Sequence, residues 1–291
     1  MSHVSTLPPD PVTDLADTQS PPAAESETPA APAKKEEGSF LWFLVKLVIA
    51  VLVFRTFIFS TFSIPSESML PRLMVGDYLF TSKWPYGYSR ASLPFDSGPD
   101  TGRILGSLPE RGDIVVFKHP LDRADYIKRV VGLPGDTIQM VAGVLHIDGQ
   151  PVRKERIDDF VAPITPYTAC RVERFRATAA DGTPVCRYPQ FRETLPGGRS
   201  YTVLGFGLTP QDTTEPVIVP EGSLFLMGDN RDNSQDSRFP AAPGGGIGLV
   251  PEENLVGRAS FIAFSTDGTS SWINPISWFS AARWHRVGDG L

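Results

Sequence analysis

The sequence is poor in the residue types on which several common functions depend. Its 291 residues include only two cysteines and four histidines, and 27 Lys and Arg stand against 33 Asp and Glu. The net charge of −6, without any long basic run, excludes the nucleic-acid-binding class, because phosphate contacts need a dense Lys/Arg surface. The chain has no internal repeat, and helical periodicity is scarce outside one segment near the N-terminus.

The two cysteines, Cys170 and Cys186, lie 16 residues apart and lack the CxxC spacing of zinc and redox sites. A metal site therefore has little support. In an oxidising compartment the two would form one disulfide closing a short loop, which is worth roughly 3 kcal/mol by the loop-entropy relation. Two free buried thiols are the alternative that the sequence leaves open.

Residues 1–38 are rich in Pro, Ala, Ser, Thr and acidic residues and contain almost no large apolar side chains. A segment of this composition cannot bury enough apolar surface to offset the entropy lost on ordering. We therefore expect a disordered tail.

An apolar segment follows at residues 39–62, in which Lys46 and Arg55 are the only charged residues. Its length matches the roughly 20 residues of a bilayer-spanning helix, and both cations lie close enough to an end to reach the interface. We expect a retained anchor; a cleaved signal peptide, the alternative, would have a shorter apolar core and a small-residue cleavage site. Lys34, Lys35 and Lys46 assign the N-terminus to the cytoplasm by the positive-inside rule, and the rest of the chain to the outside.

The remaining sequence consists of short β-type runs bounded by turn residues, and its 28 prolines and 26 glycines fit a mainly β fold. Asp148-Gly149 predicts the turn of a hairpin. We expect a β core in two parts, residues 63–149 and 221–291. Between them, the polar segment 150–220 holds both cysteines and is predicted to be an inserted β subdomain.

Small polar residues concentrate beside apolar runs in three segments, PSESMLP (65–71), DYIKRVVGLPGD (125–136) and MGDNRDNSQDSR (227–238). A serine such as Ser68 is a weak nucleophile until a base removes its proton, and the usual bases are histidine and neutral lysine. His119 is the only histidine near one of these segments, and the sequence FKHPLD around it indicates an exposed loop.

Lysine is better placed to act as the base. Strand alternation in YIKRVVG puts Tyr126, Lys128 and Val130 on one face, with the Lys128 amine directed toward the core. Full burial can bring a lysine pKa from about 10.4 to within reach of neutral pH, so that a neutral amine is present. The alternative is an edge-strand lysine that protects against aggregation, a role that also suits Arg129 on the opposite face.

Four motifs, in this order after an apolar segment, resemble those of bacterial type I signal peptidase, also called leader peptidase: SIPSESMLP, RGDIVVFKHP, YIKRVVGLPGD and MGDNRDNSQDSR. The resemblance covers roughly residues 54–136 and 222–265. It implies a signal-peptidase-like β catalytic core, of which 63–149 and 221–291 would be the two parts. The best-known Gram-negative members have two membrane spans, whereas this chain has one candidate.

The matching motif positions imply a role for each polar residue. Ser68 would be the nucleophile and Lys128 the general base. Ser66 would help the Ser68 backbone N–H form the oxyanion hole, and the Ser234 hydroxyl would orient the lysine amine. Three charged residues of the same loop as Ser234 would support the site: Asp229, Asp236 and Arg238.

The implied activity is that of a membrane-anchored serine endopeptidase, which removes N-terminal signal peptides from exported preproteins without a metal or organic cofactor. The family's shallow pockets imply cleavage after small residues, the Ala-X-Ala rule. The candidate pocket residues in this chain are Ile64, Met69, Leu73 and Ile127.

The resemblance also implies partners and a location. The partners would be preprotein signal peptides, the lipid bilayer and a nearby secretion translocon. The protein would cross the bacterial inner membrane once, with its catalytic domain on the periplasmic side. Two alternatives stay open: another envelope protease with a Ser/Lys dyad, and an anchored β domain that binds partners while Ser68 and Lys128 are merely structural.

Overall fold

The computed structural model describes residues 37–94, 97–99, 102–271 and 273–291. The predicted disordered tail, 1–38, therefore lies outside the described residues, apart from its last two. Those two residues belong to the N-terminal helix.

The N-terminal helix, α1, comprises Glu37–Phe57. Within the part of the chain that the structure describes, it is the only helix long and apolar enough to cross a membrane, over Phe40–Phe57. The large apolar side chains of this range are exposed, as lipid-facing side chains are.

Fifteen strands and a short helix, α2 (Ile276–Ala281), follow α1 among the described residues. In chain order the strands are β1 (Phe59–Ser63), β2 (Asp77–Ser82), β3 (Ile114–Lys118), β4 (Asp125–Gly132), β5 (Thr137–Val141), β6 (Val144–Ile147), β7 (Gln150–Pro151), β8 (Arg153–Pro163), β9 (Arg176–Thr178), β10 (Pro184–Thr194), β11 (Ser200–Leu204), β12 (Val217–Ile218), β13 (Ser223–Met227), β14 (Val250–Pro251) and β15 (Leu255–Ser265). The predicted mainly β fold with one preceding apolar helix is confirmed.

The apolar segment predicted at 39–62 divides into a helix and a strand. The helix ends at Phe57, and β1 pairs antiparallel with β2. The sequence FSTFS, with aromatic residues beside small polar ones, suits a partly buried strand, but apolar content alone does not separate it from the helix before it. Lys83 then stabilises the helix end, because its Nζ donates to the Thr56 carbonyl at 3.1 Å.

The strands form three antiparallel sheets. The largest has seven strands in the order β1-β2-β15-β3-β4-β13-β14. A second has the order β12-β5-β6-β7, and a third has the order β11-β10-β8 with β9 also on β10. Since β4 lies between β3 and β13, Lys128 is on a central strand and is not the edge-strand lysine of the alternative interpretation.

The predicted hairpin turn at Asp148-Gly149 is present between β6 and β7. Both residues have positive φ, 52° for Asp148 and 75° for Gly149. Two adjacent left-handed residues are what a two-residue type I′ hairpin requires, which explains the Asp-Gly sequence.

The hydrophobic core joins the three sheets. Ile138 of β5 and Val203 of β11 share one buried cluster with residues of β4 and β13. Leu70, just after Ser68, packs against Tyr188 of β10 in another cluster. The segment 150–220, predicted to be an inserted subdomain, thus shares its core with both flanking parts, and the described β body belongs to one compact unit.

Candidate active site

Ser68 and Lys128 lie side by side in the structure. Ser68 is in the turn after β1, and Lys128 is in β4, 60 residues later. The Lys128 Nζ donates to the Ser68 Oγ at 2.8 Å and to the Ile127 carbonyl at 3.1 Å. Ser68 is 8% exposed and Lys128 is 4% exposed. The two groups therefore have the contact that a nucleophile and its base require.

Burial changes the chemistry of the Lys128 amine. Loss of hydration lowers the pKa of Lys128 from its usual 10.5 to about 8, against the opposing effect of the Asp236 and Asp229 charges. An amine that has lost its proton can accept one from a hydroxyl. At mildly alkaline pH a substantial fraction of the molecules therefore holds Lys128 as a neutral amine.

Ser66 flanks Ser68 on the solvent side. Its Oγ lies 3.3 Å from the Ser68 Oγ, and Ser66 itself is exposed. A hydroxyl at this distance can donate to negative charge that develops on a carbonyl attacked by Ser68.

The turn that carries Ser68 is held by main-chain and side-chain contacts to the loop after β13. The backbone N–H of Asn230 donates to the Ser68 carbonyl at 3.0 Å, and the Asn230 Nδ2 donates to the Glu67 carbonyl at 3.1 Å. The sequence did not predict a role for Asn230 or Glu67. The Asn230 contacts therefore fix the carbonyl groups of the two peptide bonds that flank the Ser68 Cα.

Ser234 lies in the loop after β13, close to this turn. A Cβ built on Gly228 would come within 2.2 Å of the Ser234 Oγ and 2.5 Å of the Ser68 carbonyl oxygen, so both lie against the same glycine. The Ser234 hydroxyl is buried and has no hydrogen-bond partner among the described residues. The hydrogen bond to Lys128 that the motif implies is thus not formed in this structure.

Buried ion pairs hold the loop that carries Ser234. Arg238 contacts Asp236 through two hydrogen bonds, Nε to Oδ1 at 2.8 Å and Nη2 to Oδ2 at 2.9 Å, and both side chains are fully buried. The Asp236 Oδ2 also accepts the backbone N–H of Gly228 at 3.0 Å. Because a charge left without its partner in this environment is costly, these contacts restrict the loop to one arrangement.

Two further ion pairs join the same loop to strands that are distant from it in sequence. Arg129 donates to both carboxylate oxygens of Asp229 at 2.7 and 2.6 Å, and is buried in the central strand β4. Arg231 donates to Glu193 of β10 at 2.9 and 2.6 Å. The sequence did not predict the roles of Arg129 and Glu193, because pairing partners 100 and 38 residues apart leave no local signal.

A cleft of about 400 Å³ opens beside Ser68 and Lys128. Two of the predicted pocket residues, Ile64 and Ile127, line it. The prediction for the other two needs correction, since Met69 and Leu73 are fully buried and pack in the core cluster with Leu79. Their large apolar side chains gain more from complete burial than from a solvent-open wall. Further apolar wall residues are Phe62, Val116 and Tyr126.

His119, expected in an exposed loop, is fully buried. Its Nδ1 accepts the backbone N–H groups of Leu121 at 3.2 Å and Asp122 at 3.3 Å. Its Nε2 lies 3.1 Å from the Gly246 carbonyl, next to the glycines that edge the cleft. The ring is buried because it satisfies several backbone groups at once, and these contacts make it a structural residue.

Cys170 and Cys186 form a disulfide, with their Cα atoms 5.6 Å apart. Cys186 belongs to β10, and Cys170 lies in the loop that precedes β9. Of the two interpretations that the sequence left open, the structure therefore shows the bridge. Arg171, next to Cys170, donates to the Glu67 carboxylate at 2.6 Å and so connects the bridged loop with the Ser68 turn.

Comparisons with known proteins give matches to one family. Residues 38–264 match the family model described as "Signal peptidase, peptidase S26". The chain is 35% identical to signal peptidase I of Rickettsia prowazekii (strain Madrid E) and 36% identical to that of Rickettsia typhi (strain ATCC VR-144 / Wilmington). Each alignment spans 278 residues, 89% of this chain and 94% of the relative.

Among solved structures, the crystal structure of a signal peptidase I from Enterococcus faecalis matches with a TM-score of 0.28 and 24% identity, over 53% of this chain and 98% of that one. The family model and the Rickettsia relatives confirm the family that the motifs indicate. The chain therefore belongs to the signal peptidase family, peptidase S26, whose activity is the removal of signal peptides from preproteins.

Proposed function

We propose that Ser68 attacks the scissile carbonyl of the signal peptide and that Lys128 is its general base. The observation that carries this proposal is the 2.8 Å contact between Nζ and Oγ in a buried site. The neutral amine takes the hydroxyl proton as the Oγ–carbon bond forms, and it then gives that proton to the leaving amine of the mature chain. A water molecule deprotonated by the same amine hydrolyses the acyl-enzyme and restores Ser68.

The oxyanion of the tetrahedral intermediate would accept hydrogen bonds from the Ser68 backbone N–H and the Ser66 hydroxyl. The 3.3 Å separation of the two serine oxygens supports this role for Ser66. One such donor is worth about 3 kcal/mol of barrier.

Ser234 would orient the amine once substrate binding rearranges the site, because its buried hydroxyl has no other partner among the described residues. A neutral hydroxyl suits this position, since a carboxylate beside the amine would raise the pKa of Lys128 and retain the proton. The Asp236–Arg238 and Asp229–Arg129 pairs would hold the loop that presents Ser234.

The cleft would select small side chains at the substrate positions that precede the scissile bond, as in the Ala-X-Ala rule. Ile64 and Ile127 support this assignment, because branched side chains on the cleft wall narrow the space beside Ser68. Large substrate side chains would clash with this wall.

The helix α1 would anchor the enzyme in the bacterial inner membrane, with the β body on the periplasmic side. The exposed apolar surface of Phe40–Phe57 and the lysines on its N-terminal side support this orientation. The Cys170–Cys186 disulfide fits an oxidising compartment. Preproteins would arrive from a secretion translocon nearby in the same bilayer.

Cleavage of a purified preprotein in detergent tests the dyad. We expect Ser68→Ala and Lys128→Ala each to lower the rate by about 10⁴-fold or more, as removal of a nucleophile or base does. Two matched controls, Ser200→Ala at the exposed first residue of β11 and Lys154→Ala at a partly buried residue of β8, should cleave at the wild-type rate. Full activity of Lys128→Ala would refute the general-base assignment.

The same assay separates the alternatives. An envelope protease of another kind would cut envelope proteins that lack a signal peptide. The residues that precede its cleavage sites would not be restricted to small ones. A non-catalytic binding domain would release no mature protein, and Ser68→Ala would leave its binding unchanged.

A further inference from the structure

A second cavity, of about 540 Å³, lies at the C-terminal end of α1. It is separate from Ser68 and Lys128 but shares Phe62 and Asp125 with the wall of the substrate cleft. Three basic side chains line it, one each from α1, the segment after β2 and β3: Arg55, Lys83 and Lys118.

Acidic residues balance only part of this charge. Asp125 is the one acidic wall residue among those described, and its Oδ1 pairs with the Lys118 Nζ at 2.9 Å. Arg55 and Lys83 have no ion-pair partner within the described residues. The wall residues that the structure describes therefore carry an excess of positive charge in a partly enclosed space.

Burial of Lys83 makes the positive charge of this wall unfavourable in free energy. It is 4% exposed, and its Nζ donates to the carbonyls of Ser92 at 2.6 Å and Thr56 at 3.1 Å. Burial, and secondly the charge of Arg55, lower the pKa of Lys83 from its usual 10.5 to about 8. These two carbonyls occupy two of the three N–H donors of an ammonium, and a neighbouring anion would stabilise its charge.

The cavity lies at a defined depth relative to the apolar helix. Arg55 precedes Phe57, the last residue of the apolar range, by two positions, or about 3 Å along the helix axis. If α1 spans a bilayer, this end of the apolar range meets the headgroup layer. The anionic groups present in that layer are lipid phosphates.

We propose that this cavity binds the phosphate of an anionic phospholipid headgroup, with Arg55, Lys83 and Lys118 as its ligands. Phosphate oxygens accept charge-assisted hydrogen bonds from all three side chains. The proposal rests on the membrane anchoring proposed above. Because the cavity and the cleft share Phe62 and Asp125, a bound headgroup would hold the cleft at the membrane surface, where a preprotein's cleavage site emerges.

Native mass spectrometry of the full-length protein in detergent tests this site, with phosphatidylglycerol or phosphatidylcholine added. We expect phosphatidylglycerol to bind at least about tenfold more tightly, and the double variant Arg55→Gln/Lys118→Gln to lose this preference. The matched control is Arg187→Gln/Arg192→Gln, which removes two exposed cations of β10 and should keep it. Equal binding of the two lipids by the wild type, or an unchanged preference in the Arg55/Lys118 variant, would overturn the proposal.

A calorimetric titration with inorganic phosphate and glycerol 1-phosphate distinguishes a lipid site from a free-phosphate site. We expect both to bind much more weakly than the lipid, because they lack the acyl chains that pack beside α1 and hold the headgroup at its end. Comparable affinity would overturn the lipid assignment. If the double variant fails to fold, Arg55→Gln alone, on the exposed surface of α1, should still weaken phosphatidylglycerol binding, and an unweakened affinity would overturn the proposal.

Failure of this proposal is distinguishable from failure of the proposed function. Flotation with phosphatidylcholine liposomes tests membrane insertion independently of any anionic headgroup. Ser68→Ala should bind phosphatidylglycerol as tightly as the wild type, because Ser68 does not line the cavity. A loss of lipid binding in Ser68→Ala would contradict the separation of the two sites.

Discussion

Arg171 donates its Nε to the Glu67 carboxylate at 2.6 Å, which connects the disulfide-bonded loop to the residue immediately before Ser68. Glu67 is 5% exposed, and its Oε2 also accepts the Asn233 Nδ2 at 3.2 Å. One carboxylate thus holds the turn that carries Ser68 to two loops that are distant from it in sequence. The Ser68 hydroxyl depends on this turn for its position.

Glu67→Ala should therefore impair catalysis more than substrate binding. Loss of the carboxylate frees the turn, and a displacement of about 1 Å at a reacting group can cost up to 10²-fold in rate. We expect kcat for preprotein cleavage to fall at least about tenfold with a smaller change in KM, and Glu67→Gln, which keeps the side-chain shape and an acceptor, to retain most of the activity.

The matched control for Glu67 is Glu155→Ala, which removes the partner of Arg153 from an exposed ion pair on β8. Exposed pairs contribute little, so this variant should behave as the wild type. A Glu67→Ala enzyme with unchanged kcat would show that the contacts of Glu67 do not position Ser68.

The pH dependence of cleavage should follow the protonation of Lys128. Burial lowers the pKa of Lys128 to about 8, and only the neutral amine can accept the Ser68 proton. We expect kcat/KM to rise with pH, through an apparent pKa of about 8, and then to level. The control is Lys154→Ala, because burial also lowers the pKa of Lys154. Its removal should leave the pH dependence of kcat/KM unchanged. A rate that is constant from pH 6 to pH 10 would exclude Lys128 as the base.

Replacing Lys128 should stabilise the fold while abolishing activity. A lysine pKa lowered from 10.5 to about 8 means that the charged form costs roughly 3 kcal/mol of stability at neutral pH. Below pH 8 both the folded and the unfolded lysine are protonated, so the whole cost is present there. Between pH 8 and 10.5 the unfolded chain binds more protons than the folded one, and wild-type stability rises with pH.

Lys128→Met has no group that titrates at this position. Its free energy of unfolding should therefore exceed that of the wild type most at pH 7, and the difference should shrink toward pH 10. Thermal unfolding in detergent, measured for both proteins at the two pH values, gives the difference directly. Other groups that titrate in this range, such as Lys83, cancel in the comparison. A difference in midpoint that does not change with pH would mean that Lys128 has the same pKa in the folded and the unfolded chain, so that burial does not lower it.

The sequence predicts best what depends on local pattern. The mainly β class, the apolar helix and the Asp148-Gly149 turn follow from apolar content, strand-type runs and turn residues. The motifs indicate Ser68 and Lys128 as the candidate nucleophile and base, and the structure places the two side chains in contact. The helix end is predicted less well, because the apolar residues continue past Phe57 into a strand.

Contacts between distant segments are what the sequence leaves undetermined. Arg129 resembled an exposed strand cation, yet it lies in a central strand and pairs with Asp229. Met69 follows the nucleophile in the motif, but its burial is decided by β2 and β3, which pack around it. His119 is buried because it accepts hydrogen bonds from a turn that no periodicity reveals.

Gly228 offers a test of how closely the loop after β13 must approach the turn that carries Ser68. A Cβ at this position would lie 2.5 Å from the Ser68 carbonyl oxygen and 2.2 Å from the Ser234 Oγ, far inside van der Waals contact. Since the turn's backbone cannot move without moving the Ser68 hydroxyl, Gly228→Ala should lower kcat at least about a hundredfold.

The matched substitution is Gly290→Ala, because a Cβ at Gly290 meets no atom within 4 Å and its backbone conformation suits any residue. We expect that variant to cleave preprotein at the wild-type rate. The distance argument also predicts partial rescue: in the Gly228→Ala background, Ser234→Gly removes the atoms nearest to the new methyl group. Because Ser234→Gly also removes the hydroxyl proposed to orient Lys128, the double variant is compared with Ser234→Gly alone. Equal rates would locate the conflict at Ser234, whereas a double variant slower than Ser234→Gly would locate it at the Ser68 backbone. Wild-type activity of Gly228→Ala itself would show that the two segments need not approach so closely for catalysis.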